Sequence, residues 1–254
     1  MQYVHIYNGA RGLMMCPNMS IKWSVYCMET IRISAKSIIK GEVAICLLLL
    51  FLYGYRQAGN VIRTMSQVTE VHKIAITFDD GPHPVYTPRL LDGLEKRGVV
   101  ATFFVTGENA AQYPDIIKRM DKDGHLIGNH TYTHIQLTSA NRDKFRSELV
   151  KTNETLKQIT GKDVTFVRPP YGSWDKSFET ELNMFPVLWN IDPLDWCSNN
   201  ADCVVRKVES NAEENAIILL HDCYETSVKA ALRIIDDLTA QGYHFVTVDE
   251  ILFD

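Results

Sequence analysis

The 254-residue sequence predicts an α/β fold built on a parallel sheet, of barrel type. Two observations predict it. From about residue 73 onward, apolar strand-like runs alternate with amphipathic helical runs, which is the pattern of repeated βα units. Clusters of Asp, His and Arg also fall directly after the predicted strands, and the carboxyl ends of strands are where such folds gather their chemistry. The sequence has no internal repeat and no low-complexity tract.

The elements follow in order. KIAITF at 73–78 alternates and is rich in β-branched residues, so it reads as a strand. Residues 88–97 read as a helix with Pro88 in the first turn and Gly98 as its stop. ATFFVT at 101–106 is a buried-type strand, and 114–122 is a helix with Ile116, Ile117 and Met120 as its apolar face. A short strand at 126–128 follows. Amphipathic spacing through Phe145, Leu149, Leu156 and Ile159 predicts a helix over 141–159. Further strands are expected at 164–167, 186–191, 216–220 and 244–248, with a helix at 228–239 packing through Ala231, Ile234, Ile235 and Leu238. Repeated βα units over about 180 residues suit a barrel with fewer than eight units. A doubly wound open sheet is the alternative.

Composition is that of a globular chain, 46% hydrophobic and 22% charged, long enough for one domain and an extra segment. The net charge of -5 is uneven. Residues 1–62 carry six Lys/Arg against two Asp/Glu, so the remainder carries 20 against 29. The acidic remainder argues against a nucleic-acid partner, because phosphate binding needs clustered Lys/Arg. The basic part precedes VAICLLLLFLYGY at 43–55, and positive residues before an apolar stretch mark a secretory signal or signal anchor. Thirteen residues is short for a full span, and no small-residue cleavage site follows. The expected organisation is a basic segment at 1–42, an anchor or signal at 43–55, a polar linker at 56–72 and a catalytic domain at 73–254. It places the body on the extracellular face of the membrane or free outside the cell. Met28 opens a more conventional signal-like stretch and is a candidate start.

Six cysteines are present and none forms a C-x-x-C pair, which argues against a thiolate zinc site. In an oxidising compartment Cys197 and Cys203 can bridge across a short loop; small unbridged thiols are the other reading.

Five motifs carry the chemistry. TFDDGP at 77–82 sets two carboxylates, Asp79 and Asp80, at a strand end. Adjacent like charges resist joint ionisation, and a cation bound by one carboxylate leaves the other as a base. NHTYTH at 129–134 places His130 and His134 four residues apart, on one face if the segment is helical. With the Asp pair they imply a His₂Asp site with open positions, the catalytic form of a zinc site. RPPYG at 168–172 offers Arg168 to orient a carboxylate and the Tyr171 N–H to an oxyanion. DPLDW at 192–196 and LLHD at 219–222 supply Asp195, Trp196, Leu219 and His221. A strand-end histidine held by a carboxylate suits a general acid. Each motif alone has an ordinary structural reading as a turn, a rigid loop or a core residue; five in a row at strand ends do not.

In that order the motifs resemble those of the polysaccharide deacetylases with a NodB-homology domain, carbohydrate esterase family four, over about residues 70–254. The resemblance implies a distorted TIM-like (β/α) barrel of about seven units. It implies Asp79 as general base, positioned by Arg168. Asp80, His130 and His134 would be the ligands of one divalent ion, with zinc expected and cobalt, nickel or manganese able to serve. The Tyr171 backbone would stabilise the oxyanion, Leu219 and Trp196 would shape the acetyl pocket, and His221 would be the general acid tuned by Asp195. None of these positions departs from the family pattern, which argues against a non-catalytic sugar-binding relative. A phosphoesterase is disfavoured by the acidic body and the lack of a Gly-rich phosphate loop. The expected partner is an N-acetylated glycan met by a monomeric catalytic domain. N-acetylglucosamine of peptidoglycan is favoured, with chitin oligomers or acetyl-xylan as alternatives.

Overall fold

The computed structural model describes residues 46–57 and 72–253. The chain divides into two units, Met1–Thr69 and Glu70–Asp254. In the first, residues 46–57 form helix α1, and its apolar side chains, Leu47 to Tyr53, are all exposed. Among the described residues no helix is long and apolar enough to cross a membrane. The basic segment 1–42, including Met28, the first residues of the apolar run and most of the linker lie outside the described residues.

Among its described residues the second unit holds seven strands: β1 (His72–Asp79), β2 (Thr102–Val105), β3 (Leu126–Asn129), β4 (Phe166–Val167), β5 (Phe185–Pro186), β6 (Ala216–His221) and β7 (Tyr243–Phe245). All pairings are parallel, in the order β5-β4-β3-β2-β1-β6, and β7 pairs the amino end of β1. The stretch after β5 closes the ring. Val187 donates to the Val167 carbonyl of β4 (2.8 Å), and four residues on Ile191 bridges Ile218 of β6. The sheet is therefore a distorted barrel.

The two-residue period of a strand sorts the side chains. Ile74, Ile76 and Phe78 of β1, with Ile218 and Leu220 of β6, join the large outer core. That core is completed by Leu90, Leu91 and Leu94 of α2 (Tyr86–Arg97) and by Ile234, Ile235 and Leu238 of α8 (Glu225–Ala240). The alternate residues face inward. Ala75, Phe104, Phe166, Val187 and Ile217 fill the barrel floor. Thr77, Asp79, Leu219 and His221 continue that inner face upward, with Thr77 paired to Leu219 and Asp79 to His221 across β1 and β6.

The helices α4 (Pro114–Lys122) and α5 (Arg142–Thr160) fall where the periodicity puts them, and α5 ends at Gly161 with φ +75°. Four further helices lacked a readable signal: α3 (Gly107–Gln112), α6 (Ser177–Leu182), α7 (Ala201–Glu209) and α9 (Val248–Phe253). Three of them have only six residues, too few for a period to show. Four strands are shorter than expected: β2 lacks Ala101 and Thr106 at its ends, and three others shorten for physical reasons. The Val164 carbonyl is taken by the Asn153 side chain (2.9 Å), so β4 begins two residues late. The expected strand at 186–191 keeps only Pro186 within β5, because the Val187 and Leu188 carbonyls turn to Arg168 instead of a ladder. The last strand stops at Phe245, since Val248 begins α9 and donates to the Thr102 hydroxyl (3.1 Å).

Leu94 is fully buried in the face of α2 that packs towards α8. Replacing it by Ala should lower stability by about 2–5 kcal/mol through lost burial and a residual cavity. Urea unfolding would show the loss as a lower midpoint at unchanged slope, with the strand-end site intact.

Candidate active site

Arg168 stands at the bottom of the site with no exposed surface. Its guanidinium donates to Asp79 Oδ1 (2.9 Å), the Thr77 hydroxyl (2.6 Å), the Val187 carbonyl (3.1 Å) and the Leu188 carbonyl (3.1 Å). It also lies over the Phe104 ring, 4.3 Å from the centroid. The Thr77 hydroxyl spends its own proton on the Ile218 carbonyl (2.7 Å), so it is free to accept from Arg168. One oxygen of Asp79 is thus fixed from below. The other, Oδ2, faces up towards His130 Nε2 at 3.8 Å.

Asp80 leaves the strand with φ +71°, which turns its side chain out of the alternation. The Asn109 side chain holds its carbonyl (2.8 Å). Gly81 follows where there is no room for a side chain: a Cβ would sit 2.5 Å from the Asp222 carboxylate. Asp80 Oδ1 lies 3.4 Å from both His130 Nε2 and His134 Nε2, yet has no hydrogen bond of its own. The three donor atoms lie within 4.8 Å of one another. A buried carboxylate oxygen left unpaired between two imidazole nitrogens fits a divalent cation. His130 Nδ1 donates to the Arg168 carbonyl (2.6 Å), which leaves the Nε2 lone pair for a metal.

The histidine pair is not helical, contrary to the one-face expectation. Thr131 (φ +61°) and His134 (φ +56°) both take left-handed conformations, so the chain from 130 to 134 is an irregular loop. The rings still meet, with centroids 4.9 Å apart.

His221 closes the other side. The Asp195 carboxylate, itself buried, accepts from His221 Nδ1 (2.8 Å) and from the His221 backbone N–H (2.8 Å). His221 Nε2 points at Asp80 Oδ2, 4.0 Å away. Burial opposes charging of this ring, but the Asp195 hydrogen bond and the Asp195, Asp79 and Asp80 charges outweigh it, raising the pKa from 6.5 to about 9. His134 goes the other way: burial holds its pKa below the usual value despite Asp80. Burial would raise Asp80, yet the close approach of His130, with the charges of His134 and His221, keeps it low.

These groups line one cleft of about 360 Å³, together with Tyr171, Trp196 and Leu219. The structure therefore brings all ten residues expected from the sequence to one place, Arg168 and Asp195 lying just beneath the cleft wall. Tyr171 (φ +59°) projects its ring into solvent and meets His134 edge-on at 5.2 Å. Trp196 is 55% exposed, so it forms a rim instead of packing in the core. Pro169, Trp189, Asp192 and Tyr224 also line the cleft without having been singled out for it. Tyr224 could have been found, since it follows LLHD by two residues. Asp222 is buried beside the site; burial lifts its carboxyl to about 7, against the Thr87 hydroxyl that donates to it. Cys197 and Cys203 are unbridged: the Cys197 thiol donates to the Leu194 carbonyl (3.2 Å), and the Cys203 sulfur accepts from Arg206 (3.2 Å).

Comparison with known proteins gives concordant results. A family model described as polysaccharide deacetylase matches residues 66–187. A peptidoglycan-N-acetylglucosamine deacetylase of Bacillus cereus is 40% identical over 183 residues, 69% of this chain and 66% of that protein. The peptidoglycan-N-acetylmuramic acid deacetylase PdaA of Bacillus subtilis is 37% identical over 197 residues, 73% of each chain. The solved structure of the peptidoglycan deacetylase PdaC from Bacillus subtilis superposes with a TM-score of 0.69 at 40% identity, covering 72% of this chain and 90% of that one. The chain spans 66% of the first relative's length and 38% of several others'.

A pH signature follows from Asp195. In metal-free protein the raised His221 pKa contributes stability that is fully present below about pH 6.5 and is lost as pH rises through about 9. Asp195→Asn should lower the His221 pKa and flatten that slope. Titration of the His221 ring by NMR, alongside stability measured from pH 6 to 10, checks both; an unmoved titration would sink the assignment.

Proposed function

This chain belongs to the polysaccharide deacetylase family, and we propose that it hydrolyses N-acetyl groups of a glycan outside the cell, releasing acetate. The observation that carries the reading is the junction of three units in one cleft. They are the Asp79–Arg168 pair, the Asp80, His130 and His134 donor set, and the Asp195–His221 pair.

Asp80, His130 and His134 would hold one divalent cation, and zinc suits this donor set. When bound, such an ion polarises an amide carbonyl and lowers the pKa of water. The remaining work falls to the chain. Asp79 Oδ2 takes a proton from the attacking water, while Arg168 immobilises Oδ1. The water oxygen bonds to the acetyl carbon, and the Tyr171 backbone N–H donates to the resulting oxyanion; one such donor is typically worth about 3–4 kcal/mol. Leu219 and Trp196 enclose the acetyl methyl. His221, whose charged form the Asp195 carboxylate stabilises, gives its Nε2 proton to the leaving nitrogen as the C–N bond breaks. The products are acetate and a free amine on the sugar.

The favoured substrate is N-acetylglucosamine of peptidoglycan, supported by the names of the relatives, which span both glucosamine- and muramic-acid-directed enzymes. The rim of Tyr171, Trp196 and Tyr224 is suited to stacking on sugar rings. For location we favour an N-terminal anchor or signal carrying the body outside; the exposed apolar side of α1 supports it.

Acetate release from peptidoglycan and from N-acetylglucosamine oligomers, before and after chelation and metal addition, tests the reading. Metal-dependent acetate from peptidoglycan is expected; release from chitin oligomers alone would move the substrate, and none from a metal-loaded, folded protein would reject the reaction.

Asp79→Asn should keep metal at wild-type stoichiometry and lower turnover at least about 10²-fold. His134→Ala should lose both. Elemental analysis beside the acetate assay separates the two roles, and retained turnover in Asp79→Asn would remove Asp79 as the base.

A further inference from the structure

Glu148 has no place in the chemistry above, yet it is almost fully buried, 9% exposed, on the inward face of α5 between Phe145 and Thr152. A carboxylate buried there is unfavourable unless its oxygens are fully hydrogen-bonded. Among the described residues no lysine or arginine forms an ion pair with it; Lys151, three residues on, lies instead over the Tyr132 ring at 3.4 Å. All its side-chain hydrogen bonds come from one segment. Oε2 accepts from the backbone N–H of Tyr132 (3.1 Å) and of Thr133 (2.7 Å), and Oε1 accepts from the Thr133 hydroxyl (2.7 Å).

That segment is the loop between His130 and His134. It is gripped from the opposite side as well. The first N–H groups of α3, at Gly107 and Glu108, donate to the Thr131 (2.9 Å) and Tyr132 (3.0 Å) carbonyls. Gly107 has no side chain because a Cβ there would meet Tyr132 at 2.3 Å and the Thr152 hydroxyl at 2.5 Å. The Asn129 side chain fixes the Thr131 N–H (2.8 Å). So α3 holds the carbonyls of the loop, and Glu148 holds its N–H groups. The loop needs such a grip, since Thr131 and His134 take left-handed conformations that non-glycine residues rarely adopt.

We propose that Glu148 is the positioning residue of the metal site: its carboxylate clamps Tyr132 and Thr133 so that His130 and His134 present their Nε2 atoms to one ion. It touches neither ligand side chain and acts through the backbone. The inference rests on Asp80, His130 and His134 as the donor set. Charge-assisted hydrogen bonds to backbone N–H are among the stronger ones, and loss of outer partners of metal ligands typically weakens binding about 10–100-fold.

The test is the affinity of the metal-free full chain for Zn²⁺ alone, by competition with a chromophoric chelator, for wild type and Glu148→Ala, →Asp and →Gln. Thermal unfolding of each is recorded with and without Zn²⁺. Glu148→Ala should bind Zn²⁺ at least about tenfold more weakly, and its melting temperature should rise less on metal addition than that of wild type. Glu148→Gln should recover most of the affinity, since its amide oxygen can accept both N–H groups while its NH₂ donates to the Thr133 oxygen. Glu148→Asp keeps the charge but falls one methylene short, so it should lose at least about threefold; it carries the test alone if the Ala variant does not fold. Wild-type affinity in Glu148→Asp or →Ala, or equal destabilisation of metal-free and metal-loaded forms, would overturn the proposal and leave Glu148 a structural residue. A wild-type chain that binds no Zn²⁺ would instead overturn the donor set itself.

Discussion

A buried guanidinium governs this site. Arg168 is charged and has no exposed surface, so each of its nitrogens must find an acceptor inside the barrel or the charge is strongly destabilising. The acceptors come from two parts of the chain. Thr77 and Asp79 belong to β1, and Val187 and Leu188 belong to the stretch that carries the ring from β4 to β6. The same residue also receives the His130 Nδ1 proton on its backbone carbonyl. One residue therefore diverts a strand from its ladder and fixes one carboxylate oxygen at the floor with its side chain, and with its backbone carbonyl sets the tautomer of His130. Lysine has a single cationic nitrogen and no planar fork, so it cannot reach four acceptors spread this way.

Around that centre the site splits into a rigid half and a moulded half. Asp79 and His221 sit opposite each other in the β1–β6 ladder, so their separation is set by strand register. A one-residue slip would turn both out of the barrel at once. Of the donor residues only His130, whose N–H donates to the Val105 carbonyl of β2, touches such a frame. Asp80, Thr131 and His134 all have positive φ, a conformation that costs about 1–3 kcal/mol per residue and persists only under surrounding constraint. The constraint is visible as side chains bonded to backbone: Asn109 on Asp80, Asn129 on Thr131 and Glu148 on Tyr132 and Thr133.

The sequence made the first half legible and hid much of the second. Residues one strand period apart in an apolar run declare their face, which is why KIAITF and AIILL led directly to Asp79 and His221. The five motifs also marked the carboxylates, histidines and arginine that meet in the cleft, though not Trp189 or Tyr224 of its wall. Nor did they mark the path of the chain between ligands. Two histidines four apart read as one helical face, yet the loop is held open by groups 15 to 25 residues away, and no local pattern reports on them. The short strands fail for a related reason. Val164 and Leu188 look like strand residues by composition, but their carbonyls are claimed by the side chains of Asn153 and Arg168, distant partners that propensity ignores. Short helices such as α3 escape because six residues contain too few turns to show a period.

The three histidines of the cleft show how one side-chain type is driven to opposite tasks. A metal ligand must be neutral at the coordinating nitrogen, whereas a proton donor must stay charged. His130 and His221 are both held by their Nδ1 atoms, and the difference lies in the acceptor. His130 faces a carbonyl, which fixes the tautomer without adding a full negative charge. His221 faces the buried Asp195 carboxylate, which fixes the same nitrogen and also stabilises the imidazolium. His134 has neither acceptor among its described contacts, and burial keeps its pKa low. Exchanging the acceptors of His130 and His221 would leave the rings in place and reverse their chemistry: a charged ring where a lone pair is needed, and a neutral one where the leaving nitrogen needs a proton. The division of labour in this cleft therefore resides less in the histidines than in Asp195 and the Arg168 carbonyl behind them.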